Sequence, residues 1–292
     1  SYQIKIPGHR SDMVRFRVNA TGISTDGRDG IQITLRVLPD VPPTLESLNI
    51  EPDLVAALTP KLGMILVTGP TGSGKTTLLA SVIRKKIETD DSHVKVLTYE
   101  APIEIRYDEI AGQNAVVAQS EIPRHLPTFA AGARNALRRN PTDVLVGECR
   151  DPETIAAASE LANTGHRLYS TTHSNGVAET IGRLINVFPA NERASRAIDL
   201  ADNLRLIVTQ NLLPTPSGGR VAAREFLVID DQIRQTLFRH EPIDWPNLIR
   251  QQLRQHGQPM AVKIEELFQE GMLSREVYEH HRGRLETANK GS

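Results

Sequence analysis

Cysteine is almost missing from this chain of 292 residues: Cys149 stands alone. A single thiol excludes an internal disulfide and suits a reducing compartment. Net charge is nearly missing too, since 34 Lys and Arg face 35 Asp and Glu for a formal −1. No global basic field draws such a chain toward nucleic acid or anionic lipid, so stable nucleic-acid binding is not expected. No apolar run approaches the roughly 18 residues of a membrane span, and the N-terminal residues lack the apolar region of a signal peptide. Internal repeats and low-complexity segments are absent as well. These absences lead us to expect a soluble, cytoplasmic α/β protein with one large core or two smaller ones. Any membrane association then comes through partners.

What the sequence does contain is a phosphate-binding signature. Residues 63–77 read GMILVTGPTGSGKTT. Met64 to Thr68 is a short apolar run, and Gly69, Pro70, Thr71, Gly72, Ser73, Gly74, Lys75 and Thr76, followed by Thr77, fit G-x-x-x-x-G-K-[ST] without a mismatch. Gly69, Gly72 and Gly74 let the backbone turn its N–H groups inward, where the positive end of the following helix adds to their field. Lys75 reaches the β- and γ-phosphates as a point charge, and the Thr76 hydroxyl is placed to ligate Mg²⁺. ATP and Mg²⁺ are therefore the expected cofactors.

The remaining chain arranges itself around that loop. Residues 1–38 predict short strands separated by the turn-rich segments PGHRSD (7–12) and STDGRDG (24–30). They are too few to build a core alone, and read as the tail end of a small β-containing domain that begins upstream. Pro39 to Pro43, PDVPP, is a stiff linker and a domain boundary. From 44 onward strands and helices alternate: a helical region at 44–61, the loop and its helix to 88, a strand at 94–99, and loop with a short strand over 105–127. A helix at 128–139, a strand at 143–147, a helix at 152–164 and a strand at 167–172 follow. Helices near 176–187 and 190–203 lead into strands at 205–213 and 220–229, and the chain is helical from Trp245. The expected core is 44–235, with a C-terminal helical subdomain at 236–292. Polar residues gather at the carboxyl ends of the strands, where an open parallel sheet binds its ligands.

Hydrolysis asks for more than a phosphate loop: a carboxylate to orient or deprotonate water, another in the metal shell, and positive charge for the transition state. Glu148 ends an apolar strand and takes the metal-shell role, with Thr76 as the other metal-side ligand. Glu100 and Glu104 end the neighbouring strand, and spacing does not choose between them as the base. His166 and His173 flank one strand at opposite ends and cannot chelate one metal together. A lone histidine is more often a structural hydrogen-bonder, and His173 is set against that as a candidate γ-phosphate sensor. Arg134, Arg138 and Arg139 form a basic cluster that reads as a solvated face.

GPTGSGKTT, YEAPIE, DVLVGECRD and TGHRLYSTTHS, in that order and at these intervals, resemble the Walker A, Asp, Walker B and His boxes of the secretion and pilus motor ATPases. The similarity looks closest to the type IVB (Dot/Icm) secretion and conjugative-plasmid members, and covers nearly the whole chain. It implies an α/β fold: a RecA-like P-loop NTPase domain with a C-terminal helical subdomain, preceded by part of a small PAS-like α+β N-terminal domain. It also implies a homohexameric ring that works with inner-membrane secretion-system components on protein or nucleoprotein substrates, with no membrane span of its own. The family's catalytic glutamate maps onto Glu104, its Walker B glutamate onto Glu148, and its His-box histidine onto His173, beside Lys75. Arginines of the N-terminal domain are implied to close over the phosphates, with Arg17, Arg28 and Arg36 as candidates. Two departures stand out. Pilus motors usually carry Asp-Pro-Ile-Glu where this chain has Ala101 to Glu104, and Gln232 to Phe238 follows the segment associated with pilus retraction only loosely, which favours secretion.

Overall fold

The computed structural model describes residues 2–5, 13–89 and 93–290, so the turn expected at 7–12 lies outside the described residues. Strands β1 (Tyr2–Lys5), β2 (Met13–Thr25) and β3 (Arg28–Leu38) form an antiparallel sheet in that order. Asp26 and Gly27 join β2 to β3 with φ of 52° and 71°, the left-handed pair that a two-residue hairpin turn requires to match strand twist. Ile31, Ile33, Leu35 and Val37 lie on one side of β3 and are exposed, whereas Val14 and Leu38 are buried at the base of the hairpin. Residues 39–43 have no regular structure, and the Pro42 carbonyl accepts a hydrogen bond from Arg84 Nη1 at 2.6 Å.

The helical region expected at 44–61 is shorter than its pattern. It consists of one 3-10 turn at Glu46–Leu48 and a helix α1 (Pro52–Ala57). Asn49 turns left-handed at φ 46° and ends the first, and Pro52 opens the second because its fixed φ and missing N–H suit a first helical position.

Among the described residues the main sheet has seven strands: β4 (Gly63–Thr68), β5 (Val94–Glu100), β6 (Ala115–Glu121), β7 (Asp143–Val146), β8 (Arg167–Thr172), β9 (Leu204–Pro214) and β10 (Arg220–Val228). Their order across the sheet is β10-β9-β4-β8-β7-β5-β6, parallel throughout except for the antiparallel β9–β10 pair at one edge. All of β4 is buried. Met64 and Leu66 point into one hydrophobic cluster and Ile65 and Val67 into another, so the sheet is covered on both sides and β4 reads as an unbroken apolar run. Helices α3 (Phe129–Ala136), α4 (Pro152–Asn163), α5 (Val177–Asn186), α6 (Arg193–Asn203), α7 (Asp231–Phe238) and α8 (Trp245–His256) supply the first cluster; α1 and α2 (Lys75–Glu88) supply the second.

Helix α3 stops at Ala136 rather than Arg139, because Arg138 and Arg139 donate three residues back, to Asn135 and Ala136, and tighten the last turn. Helix α4 starts where Asp151 accepts from the Thr154 amide at 2.8 Å ahead of Pro152, and Gly165 follows its end with φ 90°. Helices α9 (Met260–Gln269) and α10 (Arg275–Lys290) pack with Leu213 and Ala223 of the β9–β10 edge in a third, smaller cluster.

Trp245 is 1% exposed within the first cluster, and its indole N–H donates to the His240 carbonyl at 3.1 Å. Trp245→Ala empties that volume, and we expect urea unfolding at fixed protein concentration to report a loss of about 3–5 kcal/mol.

Candidate nucleotide site

The phosphate loop sits between β4 and α2, and its shape follows from three glycines with φ of 138° (Gly69), 80° (Gly72) and 85° (Gly74). A Cβ on Gly69 would come within 2.3 Å of the Gln210 carbonyl oxygen, and one on Gly74 within 2.8 Å of the Gln210 side-chain nitrogen. Around Gly72 the space is open. The loop is thus pressed onto β9 on one side and left accessible on the other. The Lys75 ammonium donates to the Gly69 carbonyl at 2.8 Å and to the Pro70 carbonyl at 2.9 Å. Burial lowers its pKa, and the nearby Glu148 carboxylate works in the opposite direction.

Beside the loop lies a cleft of about 570 Å³. Thr71 to Thr77, Glu100, Glu104, Glu148 and His173 line it, with Arg17 and Arg36 reaching in from the N-terminal hairpin. Gly69 and Pro70 do not line the cleft; they hold Lys75 from behind. Glu148 follows β7 and lies 3.7 Å from His173 Nε2 and 3.7 Å from Arg150 Nη1. The segment that carries it is stitched to β8: Thr171 Oγ1 donates to the Gly147 carbonyl at 2.6 Å, and the Cys149 amide to the Thr171 carbonyl at 2.9 Å. Burial pushes the Cys149 thiol up to about 12, which leaves it inert beside the site.

The two glutamates of the β5 end differ in setting. Glu100 is 5% exposed and accepts from Thr98 Oγ1 at 2.6 Å and Gln119 Nε2 at 3.0 Å. Burial raises its carboxyl above the ordinary value; the two hydrogen bonds pull it down, and Glu104 adds to the rise. Glu104 is more open, and its Oε1 accepts from Arg17 Nη1 at 2.7 Å. Arg15, two residues before Arg17 and on the same side of β2, donates to the Ile103 carbonyl at 3.2 Å, while its Nε and Nη1 have no partner.

Arg17 and Arg36 reach the cleft together because they face each other across the hairpin. Arg28 does not. It pairs with Thr25 at the hairpin turn, eight positions from Arg36 and so roughly 26 Å along the strand at about 3.3 Å per residue, away from this cleft. His166 takes the structural part, its Nδ1 within 2.9 Å of Thr164 Oγ1 and 3.1 Å of the Leu161 carbonyl at the end of α4. Arg150, Leu212 and Arg220 also line the cleft; Arg150 falls within the DVLVGECRD box, and no box marked Leu212 or Arg220.

Comparison with known proteins identifies a family. Residues 2–217 match the model of a family described as type II/IV secretion system protein. The chain belongs to that family. Its members' fold is the mixed α/β arrangement around a parallel sheet described above, and membership makes the chain an ATPase of the secretion and pilus motor class. The X-ray structure of the Legionella pneumophila ATPase DotB is similar with a TM-score of 0.91 and 49% identity, over 95% of this chain and 75% of that one. A crystal structure of the pilus retraction motor PilT with bound ADP gives 0.78 and 31%, again over 95% and 75%. A twitching motility protein of Neisseria gonorrhoeae is 38% identical over 91% of this chain and 69% of its own length.

The Glu100 carboxyl binds its proton more tightly in the folded chain than in the unfolded one. Folded stability is therefore lost as pH climbs from the ordinary carboxylate value to the raised one. Glu100→Gln keeps an acceptor for Thr98 and Gln119 without the charge. Its melting temperature is expected to exceed that of the unaltered protein at about pH 8, with the difference shrinking toward about pH 4.5, as read by thermal melts across that range.

Proposed function

We propose that this family member binds ATP with Mg²⁺ in the cleft, hydrolyses it, and uses the energy to drive a type IV secretion machine of the IVB or conjugative kind. The observation that carries the proposal is the convergence, on one cleft, of Lys75 and the loop amides with Glu104, Glu148 and His173. Loop amides and Lys75 hold the β- and γ-phosphates. Glu104 orients and deprotonates the attacking water, and His173 reads the γ-phosphate.

Thr76 and Glu148 offer hard oxygen donors on the same cleft and fit Mg²⁺. Among the described residues no group of three or more His, Cys, Asp or Glu is placed to hold a metal, so phosphate oxygens and water would complete the shell. Bound there, Mg²⁺ neutralises charge on the phosphate oxygens.

The arginines on the cleft, Arg17, Arg36, Arg150 and Arg220, supply positive charge around the phosphates. We further propose a homohexameric ring at the cytoplasmic face of the inner membrane, held there by membrane components of the machine and acting on protein or nucleoprotein substrates. No described helix is long and apolar enough to cross a membrane. Support for secretion over pilus retraction comes from the similarity to DotB, 49% identical, against 31% for PilT. The gonococcal twitching motility relative supports the pilus reading as the alternative.

Phosphate release by the purified protein with ATP and Mg²⁺ is the test. Lys75→Ala is expected to fall to background. Glu104→Gln should still bind ATP and yet turn over about 100-fold or more slowly, the scale of a lost general base. Unaltered protein releasing no more phosphate than Lys75→Ala would refute the hydrolysis reading.

A further inference from the structure

The phosphate loop is braced from behind by two buried side chains that no sequence motif marks. Gln210 of β9 is 3% exposed and Arg224 of β10 is 2% exposed. Gln210 Nε2 donates to the Ser73 carbonyl, inside the loop, at 2.6 Å, and Gln210 Oε1 accepts from Arg224 Nε at 2.8 Å. Arg224 spends its other donors on the chain entering the core: Nη1 to the Asn49 carbonyl and to Glu51 Oε2, each at 3.2 Å, and Nη2 to the Leu48 carbonyl at 3.1 Å. The second Glu51 oxygen pairs with Lys263 Nζ of α9 at 3.3 Å.

We infer that Gln210 and Arg224 are positioning residues for the nucleotide site: a side-chain relay that fixes the phosphate loop and joins it to residues 48–51 and to α9. The inference rests on reading the cleft as the nucleotide site. Its physical basis is directional. A guanidinium has donors and no acceptor, so Arg224 compels the Gln210 amide to turn its oxygen toward β10 and its nitrogen toward Ser73. An unpinned glutamine amide could flip and set oxygen against the Ser73 carbonyl. The loop has a second contact with the same residue, because Gly69 and Gly74 press on the Gln210 carbonyl and side-chain nitrogen. Any shift of Gln210 therefore moves both ends of the loop.

Stability alone does not account for this arrangement. A buried ion pair such as Arg224–Glu51 adds little to stability compared with well-packed apolar residues of the same volume, since each charge must first leave water. What an ion pair with four directed donations does provide is one geometry. The relay also ends on two neighbours of the core: the segment that follows the 39–43 linker, and the third cluster formed by α9 and α10. A change in how the loop grips phosphate is thus transmitted through contiguous hydrogen bonds to both.

The test uses Gln210→Glu, which keeps the side chain's size and its pairing with Arg224 but removes the donor to Ser73. Binding of the fluorescent nucleotide mant-ADP with Mg²⁺ is titrated, and the melting temperature is measured without nucleotide. We expect affinity about ten-fold weaker, whereas the control below lowers the melting temperature without weakening binding. Arg224→Lys keeps the charge opposite Glu51 but cannot pin the amide; it should also weaken binding, and the double variant should be no weaker than the weaker single one.

Glu225→Gln is the structural control. Glu225 accepts from the amides of Val177 at 2.8 Å and Met260 at 3.1 Å and touches no part of the loop, so it should lower the melting temperature and leave mant-ADP affinity unchanged. At saturating ADP, hydrogen exchange should show protection of residues 48–51 and of α9 in the unaltered protein and its loss in Gln210→Glu. Gln210→Glu binding as tightly as the unaltered protein, additive losses in the double variant, or equal protection in both proteins would each overturn the relay. Unaltered protein that bound no mant-ADP would overturn the nucleotide reading of the cleft, and the relay with it.

Discussion

The whole site depends on how closely the phosphate loop approaches strand β9. Gly69 and Gly74 lie so near Gln210 that neither has room for a Cβ, and both take left-handed φ values that other side chains avoid. This contact sets the position of the loop carbonyls, and the loop carbonyls in turn hold the Lys75 ammonium. Gly72, by contrast, faces open space, and its freedom serves only the turn. One loop therefore carries two kinds of glycine, one kind demanded by packing and the other by backbone direction.

The sheet then sorts the acids around this fixed point. Along the chain the relevant strands come as β4, β5, β7 and β8, yet across the sheet they run β4-β8-β7-β5. The crossovers place His173, after β8, next to the loop-bearing strand. Glu148, after β7, comes next, and the Glu100 to Glu104 segment lies farthest out. Parallel pairing brings all these carboxyl ends to one edge, so residues more than 70 positions apart share a cleft without any local contact between them. Hydrogen bonds from Ser170 and Thr171 to the carbonyls of Val146 and Gly147 then lock the histidine-bearing strand to the one that carries Glu148.

Features that obey local rules could be read directly from the sequence. The loop needs glycine at fixed places, buried strands need apolar runs, and Asp151-Pro152 announces a helix start; all of these could be placed from spacing. The brace behind the loop could not. Gln210 and Arg224 sit in ordinary strand positions, and they matter only because the antiparallel β9–β10 pair sets Gln210 opposite Arg224. The same limit applies to Arg28, which the sequence does not separate from its neighbours. Four arginines on one hairpin look equivalent in sequence, but Arg15, Arg17 and Arg36 lie at the end that meets the core, and Arg28 lies at the turn.

The hairpin's hold on the site is weak where the chemistry is and firmer beside it. Arg17 is about half exposed at 49%, and its partner Glu104 is 23% exposed. An ion pair that open is worth about 0–1 kcal/mol, because water screens it and both side chains give up freedom to form it. Arg15, by contrast, is 3% exposed and donates to the Ile103 carbonyl, one residue before Glu104. In the proposed reaction Arg15 would keep the hairpin seated while Arg17 traded the Glu104 carboxylate for a phosphate oxygen, a more highly charged acceptor. That exchange would free Glu104 for water as positive charge reached the nucleotide, so two requirements of hydrolysis would be met by one side-chain movement.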